Sequence, residues 1–140
     1  MRYLCRKLNL ETELYPHKDL KRKAKVDMFL DWGMAMIRYS AAYLNMEPVE
    51  ELECDTLFDE EAKIRREAEL KGIIAKLDTM LEGKQYVTGE QLSVADIWFF
   101  AELYNSFSSL GLEWEKYERA GEWAKRITSN ENLEILWSKT

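Results

Sequence analysis

Apolar side chains along this 140-residue chain recur at intervals of three and four in almost every segment. No stretch alternates apolar and polar positions long enough to suggest a strand, so the expected fold class is all-α. A short helix is expected over Met1–Leu8, followed by a loop over Asn9–Tyr15 and by Pro16, whose fixed φ suits the approach to a helix start. The second helix should begin near Asp19, a good N-cap, and run to about Met46, where Pro48 stops it. At about 1.5 Å per residue it would be roughly 40 Å long. Its second half has two apolar faces, Trp32, Met36, Tyr39 and Tyr43 on one and Leu30, Met34, Ile37, Ala41 and Leu44 on the other. Such a helix expects burial on more than one side.

A loop rich in acids, Glu47–Leu57, leads to a third helix over about Asp59–Glu82, with Ala62, Leu70, Ile73, Ile74, Leu77 and Leu81 facing inward and Gly83 ending it. The strongest local signal comes next. Ser93 can accept from the N–H of Asp96 while the Asp96 carboxylate reaches back to the N–H of Ser93, which is a capping box. Leu92 before the cap and Ile97 after it supply a hydrophobic staple, and Gly89 lies in the connection ahead of them. The helix so launched carries Trp98, Phe99, Phe100, Leu103, Tyr104 and Phe107, too apolar for a surface position, and is expected at the centre of the core. Two shorter helices are expected near Glu115–Ile127, with Trp123 inward, and near Glu131–Trp137. About five to six helices in one bundle, forming a single domain over residues 1–140, is the resulting expectation.

Charge narrows the partners. A net charge of -6 argues against a nucleic-acid binder, which needs a surplus of lysine and arginine on its binding face. The charge is uneven: Met1–Lys25 holds eight basic and three acidic residues, whereas Glu47–Glu61 holds eight acidic residues and no basic one. That asymmetry can orient the domain against a partner. The most apolar run, Trp32–Met46, is 15 residues long and contains Arg38, too short for a membrane span. Two cysteines, Cys5 and Cys54, form no secreted disulfide framework, so a reducing compartment is expected, the cytoplasm first, with the mitochondrial matrix left open.

The run Gly89-Glu90-Gln91-Leu92-Ser93-Val94-Ala95-Asp96-Ile97 resembles the folding motif of the glutathione transferase C-terminal domain. Tyr15-Pro16, Asp19-Leu20, Ala24, Val26-Asp27, Leu30 and Trp32 resemble the first helix of that domain in theta-type transferases, and Trp123 with Arg126-Ile127 resembles its late helix. A proline common before that late helix in the family is missing between Gly111 and Trp123, so the helix entry should differ. Tyr3-Leu4 and Lys7 look like the end of the helix that closes the preceding thioredoxin-like domain, so residues 1–8 would be a remnant of that helix. The resemblance implies a helical bundle of the transferase C-terminal type. The half of the family that holds glutathione is not expected in this chain, and none of its catalytic residues can be carried over.

No catalytic, cofactor-binding or metal-binding residue is therefore expected, and glutathione only if a thioredoxin-like partner domain is supplied. The resemblance would give Arg38 an anion-facing role, while on its own it reads as a salt-bridged or snorkelled residue. Trp32, Met36, Tyr39 and Tyr43 could line a hydrophobic-ligand pocket, but helical stripes of this kind more often pack against another helix or a partner. Basic neighbours would favour a Cys5 thiolate, against the plainer reading of an inert helical cysteine, and acidic neighbours quiet Cys54. His17 is the only histidine, which leaves no Cys–His pair or histidine-based metal cluster. Asp55–Arg66 lacks the glycine and terminal glutamate of an EF-hand loop. The functional expectation is a non-catalytic protein-interaction domain, binding another protein or a second copy through the Asp19–Met46 and Asp59–Glu82 helices. The alternative is the electrophile-site half of a glutathione transferase.

Overall fold

The computed structural model describes residues 2–8, 14–45, 60–110 and 112–133. Glu47–Leu57, Cys54 and the end of the expected last helix lie outside them. The fold is all-α: helices α1 (Arg2–Lys7), α2 (Leu20–Asn45), α3 (Glu60–Met80), α4 (Val94–Leu110) and α5 (Glu118–Thr128), with no strand among the described residues. Among the described residues an isolated bridge pairs Tyr86 with Gly89 in the turn before α4.

Asp19 caps α2 as expected, its Oδ1 accepting the Arg22 N–H at 2.9 Å. From there α2 packs most extensively on α4 and on α3. Phe99, Phe100 and Leu103 of α4 are fully buried, and so are Leu70, Ile74 and Leu77 of α3, which places α4 at the centre of the core. Gly33 of α2 makes the α2–α4 crossing possible, because a Cβ there would overlap the Trp98 ring and come within 3.1 Å of Phe99. Arg2 ties α1 to α2, with Nε donating to Asp27 at 2.6 Å and Nη2 to Asp31 at 2.9 Å, while the Tyr15 hydroxyl donates to the same Asp27 at 2.8 Å. α3 stops at Met80 rather than Glu82, and the turn beyond it uses Gly83 in the left-handed region at φ 66°.

Three expectations need correction. The segment expected as one helix over Glu115–Ile127 is a single 3-10 turn, Trp114–Lys116, followed by α5. Tyr117 between them is extended, at φ -120° and ψ 108°, and this lets the 3-10 turn fold back over Gly121. Residues 131–133 form a turn where the last helix was expected to begin. Met34 and Met36, one on each of the two apolar faces of α2 expected to be buried, are half-exposed instead, and Met34 sits beside Trp98 and Tyr3 at the α1–α2–α4 junction.

Candidate functional site

The element that orients the bundle is Asp96, in the first turn of α4. Its Oδ2 accepts the Ser93 N–H at 2.9 Å, as a capping box requires, and also the Ser93 hydroxyl at 2.7 Å. In place of the reciprocal half of the box, the Asp96 N–H donates to the Ser93 backbone carbonyl at 3.1 Å while the Ser93 hydroxyl donates to the carboxylate. A carboxylate is the stronger acceptor partner for that O–H. Oδ1 accepts the Val87 N–H at 2.8 Å and the Trp123 indole N–H at 3.0 Å, so one carboxyl group joins the turn before α4, the start of α4 and α5. Leu92 and Ile97, the expected staple, are both half-buried.

Burial pushes the Asp96 carboxyl above its ordinary 3.8, against the downward pull of its hydrogen bonds from Ser93, Val87 and Trp123. A folded-state value above the unfolded one gives a stability contribution that is fully present below 3.8 and is lost as the pH rises through the raised value. Unfolding titrations of wild type and Asp96→Asn should therefore differ in slope across that window, with only the wild type losing stability there as the pH rises.

α3 meets α5 through a second carboxylate. Asp78 Oδ1 accepts the N–H groups of Arg119 at 2.8 Å and of Ala120 at 2.9 Å, satisfying donors in the first turn of α5. Asp78 thus ties α3 to α5, and a groove opens between α3 and α2. It has a volume of about 420 Å³ and is lined by Trp32, Ala35 and Met36 from α2, and by Arg66, Glu69, Gly72, Ile73 and Lys76 from α3. Trp32 is its wall: one face stacks on Phe99 at 5.6 Å between ring centroids and 17° between planes, and the Lys76 ammonium lies 5.5 Å from the ring centroid. Met36 is 47% exposed. The floor includes Gly72, in the middle of α3, where an added Cβ would meet nothing within 4 Å.

The expected site residues are thus only partly brought together. Trp32 and Met36 line the groove, while Tyr39 and Tyr43 belong to α2 with side chains outside those described. Arg38 points away from it: its Nη1 lies 3.9 Å from Glu102 Oε1, and its side chain is 56% exposed. So long and open a pair contributes little to stability. Cys5 is buried in the core cluster and His17 is half-buried. On the α3 side, the sequence reading had the helix and Ile73 but not Arg66, Glu69, Gly72 or Lys76, of which Gly72 in a helix interior was a visible signal. An exposed mid-helix glycine costs about 0.5–1 kcal/mol relative to alanine. Gly72→Ala should accordingly raise the unfolding free energy by that amount, read as a higher midpoint in urea denaturation.

The arrangement defines a helical bundle with a mixed apolar and charged groove between its first two long helices. A family model described as the C-terminal domain of glutathione S-transferase matches residues 52–135, and the chain belongs to that family. Glutathione S-transferase theta-1 of Gallus gallus is 27% identical over 142 residues, which cover 96% of this chain and 52% of that protein. Among solved structures, the ternary complex of BphK, a bacterial glutathione transferase, superposes with a TM-score of 0.80 at 17% identity, covering 99% of this chain and 64% of that one. A sphingomonad glutathione S-transferase complexed with glutathione gives 0.79 at 18% identity, covering 98% and 63%. These likenesses concern the fold. The chain spans about half the length of the curated relative and less than two-thirds of these two solved chains. No helix among the described residues is long and apolar enough to cross a membrane.

Proposed function

We propose that this chain acts as a non-catalytic protein-interaction domain, docking another protein or a second copy of itself through the α2–α3 groove. The observation that carries this reading is Gly72. A glycine held in a helix interior, with open space at its Cβ, weakens α3 and packs closely against nothing among the described residues. It serves a surface that a partner approaches closely. Half-exposed Met36 supplies apolar area at one edge, and Lys76, Arg66 and Glu69 supply a polar rim, the composition of a non-obligate interface.

A second reading is favoured by the opposite side of α2. Tyr3, 71% exposed, and Met34 flank a cleft of about 360 Å³ that also takes in Leu30, Trp98, Arg2 and Asp31. Apolar side chains left this open at a cleft are suited to a covering domain, which fits the electrophile-site half of a glutathione transferase. A conjugation assay separates the two. The chain alone, incubated with glutathione and an aromatic halide electrophile, should show no rate above the uncatalysed reaction. Saturable conjugation would overturn the interaction-domain reading.

A further inference from the structure

Helix α1 is the least anchored of the helices described. It spans six residues, of which only Cys5 is buried, and it packs on the bundle less extensively than any of the other four. A helix that short is well under the about 12–15 residues needed for even marginal stability alone, so α1 stays helical only while it is docked. Its polar tie is Arg2, which spans one turn of α2 by donating from Nε to Asp27 at 2.6 Å and from Nη2 to Asp31 at 2.9 Å. Little is lost when that tie breaks. The Arg2 side chain is 46% exposed and that of Asp31 74%, so both regain water readily. Asp27 keeps a partner of its own, because the hydroxyl of buried Tyr15 donates to the same Oδ1 at 2.8 Å.

We infer that α1 is a strap that lifts from α2 as a unit while the rest of the bundle stays folded, with Arg2 as the clasp that holds it closed. The cleft flanked by Tyr3 and Met34 exists only in the closed form. Arg2 and Tyr3 reach it from α1, whereas Leu30, Asp31 and Met34 come from α2 and Trp98 from α4, so lifting the strap takes away one wall. Opening also carries Cys5 from the core cluster into water. A molecule seated against Tyr3 in the cleft binds the closed form alone and therefore holds the strap down. The clasp is electrostatic and exposed, so salt shifts the balance towards the open form. Cys5 and Arg6 make contacts of their own, so losing Arg2 loosens α1 without freeing it. This strap is separate from the α2–α3 groove and does not depend on how that groove is used.

Alkylation of Cys5 by a neutral maleimide, in a Cys54→Ser chain where it is the only thiol, reads the opening directly. Labelling should be slower than that of an unstructured peptide thiol, and nearly independent of urea below the concentrations that change tryptophan fluorescence. Arg2→Gln should raise the rate roughly three- to tenfold, the scale of two exposed ion pairs. Loss of a cation disfavours the thiolate, so this acceleration cannot come from a more reactive sulfur. Lys7→Gln, which removes the same charge from α1 outside the clasp, should change the rate less than about twofold. Raising sodium chloride from about 0.1 to about 1 M shortens the screening length from about 10 to about 3 Å and should speed labelling of the parent chain more than that of Arg2→Gln. If Arg2→Gln lowers the unfolding midpoint of the whole bundle, Asp31→Asn, at the more exposed end of the clasp, takes its place. Labelling that follows the urea dependence of global unfolding, labelling as fast as the peptide thiol, or no difference between the clasp variant and Lys7→Gln would each overturn the strap.

Discussion

Asp96→Ala should destabilise the domain by about 3–5 kcal/mol, the largest loss expected from any single substitution considered for this chain. The carboxylate accepts from the Val87 and Ser93 N–H groups, the Ser93 hydroxyl and the Trp123 indole, and Ser93 and Trp123 are themselves fully buried. Alanine leaves these donors without an acceptor, and each buried donor so orphaned costs about 1–3 kcal/mol. Water entering the vacated space recovers part of the sum. Against a total stability of about 5–15 kcal/mol for a domain of this kind, the loss brings the variant close to unfolding. Asp96→Asn keeps one carbonyl oxygen for two of the donors and should lose about half as much. The checking measurement is urea unfolding followed by tryptophan fluorescence, where the midpoint should fall with little change in slope.

Gly121→Ala should cost about 2–3 kcal/mol, in contrast to the gain expected at Gly72. A Cβ at position 121 would stand 2.7 Å from the backbone oxygen of Trp114 and 3.3 Å from its carbonyl carbon. Backbone cannot rotate aside as a side-chain tip can, so the 3-10 turn must lift off α5. That turn carries Trp114, which stacks on Phe100 at 5.9 Å and contacts Trp123 at 6.0 Å, so the disturbance reaches the same aromatic cluster that Asp96 anchors. The gain in helix propensity from alanine, about 1 kcal/mol, offsets only part of this. Thermal unfolding of the two alanine variants side by side should move in opposite directions from wild type.

Local chemistry made much of the fold legible. Asp19 and Gly83 bracket helices because each changes what the backbone can do within a few residues, and the stripe of α3 emerged from spacing alone, with Ala62, Leu70, Ile74, Leu77 and Leu81 all buried. The pairing of Ser93 with Asp96 was visible for the same reason, as the two are three residues apart. The Trp123 indole lies 27 residues further along, and nothing local announces that it shares the Asp96 carboxylate. Met34 was misplaced because the period of a helix tells which residues share a face but not where a neighbouring helix ends. The groove was half legible on the same grounds: Trp32 and Met36 were visible as a stripe, whereas Arg66, Glu69 and Lys76 join them only where α3 packs on α2, a contact between parts of the chain far apart in sequence.

Trp32 is a poor probe of docking, since it also stacks on the buried Phe99 and its removal would disturb the core. Met36 and Gly72 avoid that ambiguity. The most direct measurement is therefore photo-crosslinking from a benzophenone side chain placed at Met36, in native extract, compared with the same chain carrying Gly72→Arg to fill the groove. A discrete protein adduct is predicted at Met36, reduced at least tenfold by Gly72→Arg while the thermal unfolding curve stays that of a folded domain. Adducts that persist unchanged with the groove filled, or no adduct above that from a benzophenone at exposed Leu20, would contradict docking through the α2–α3 groove.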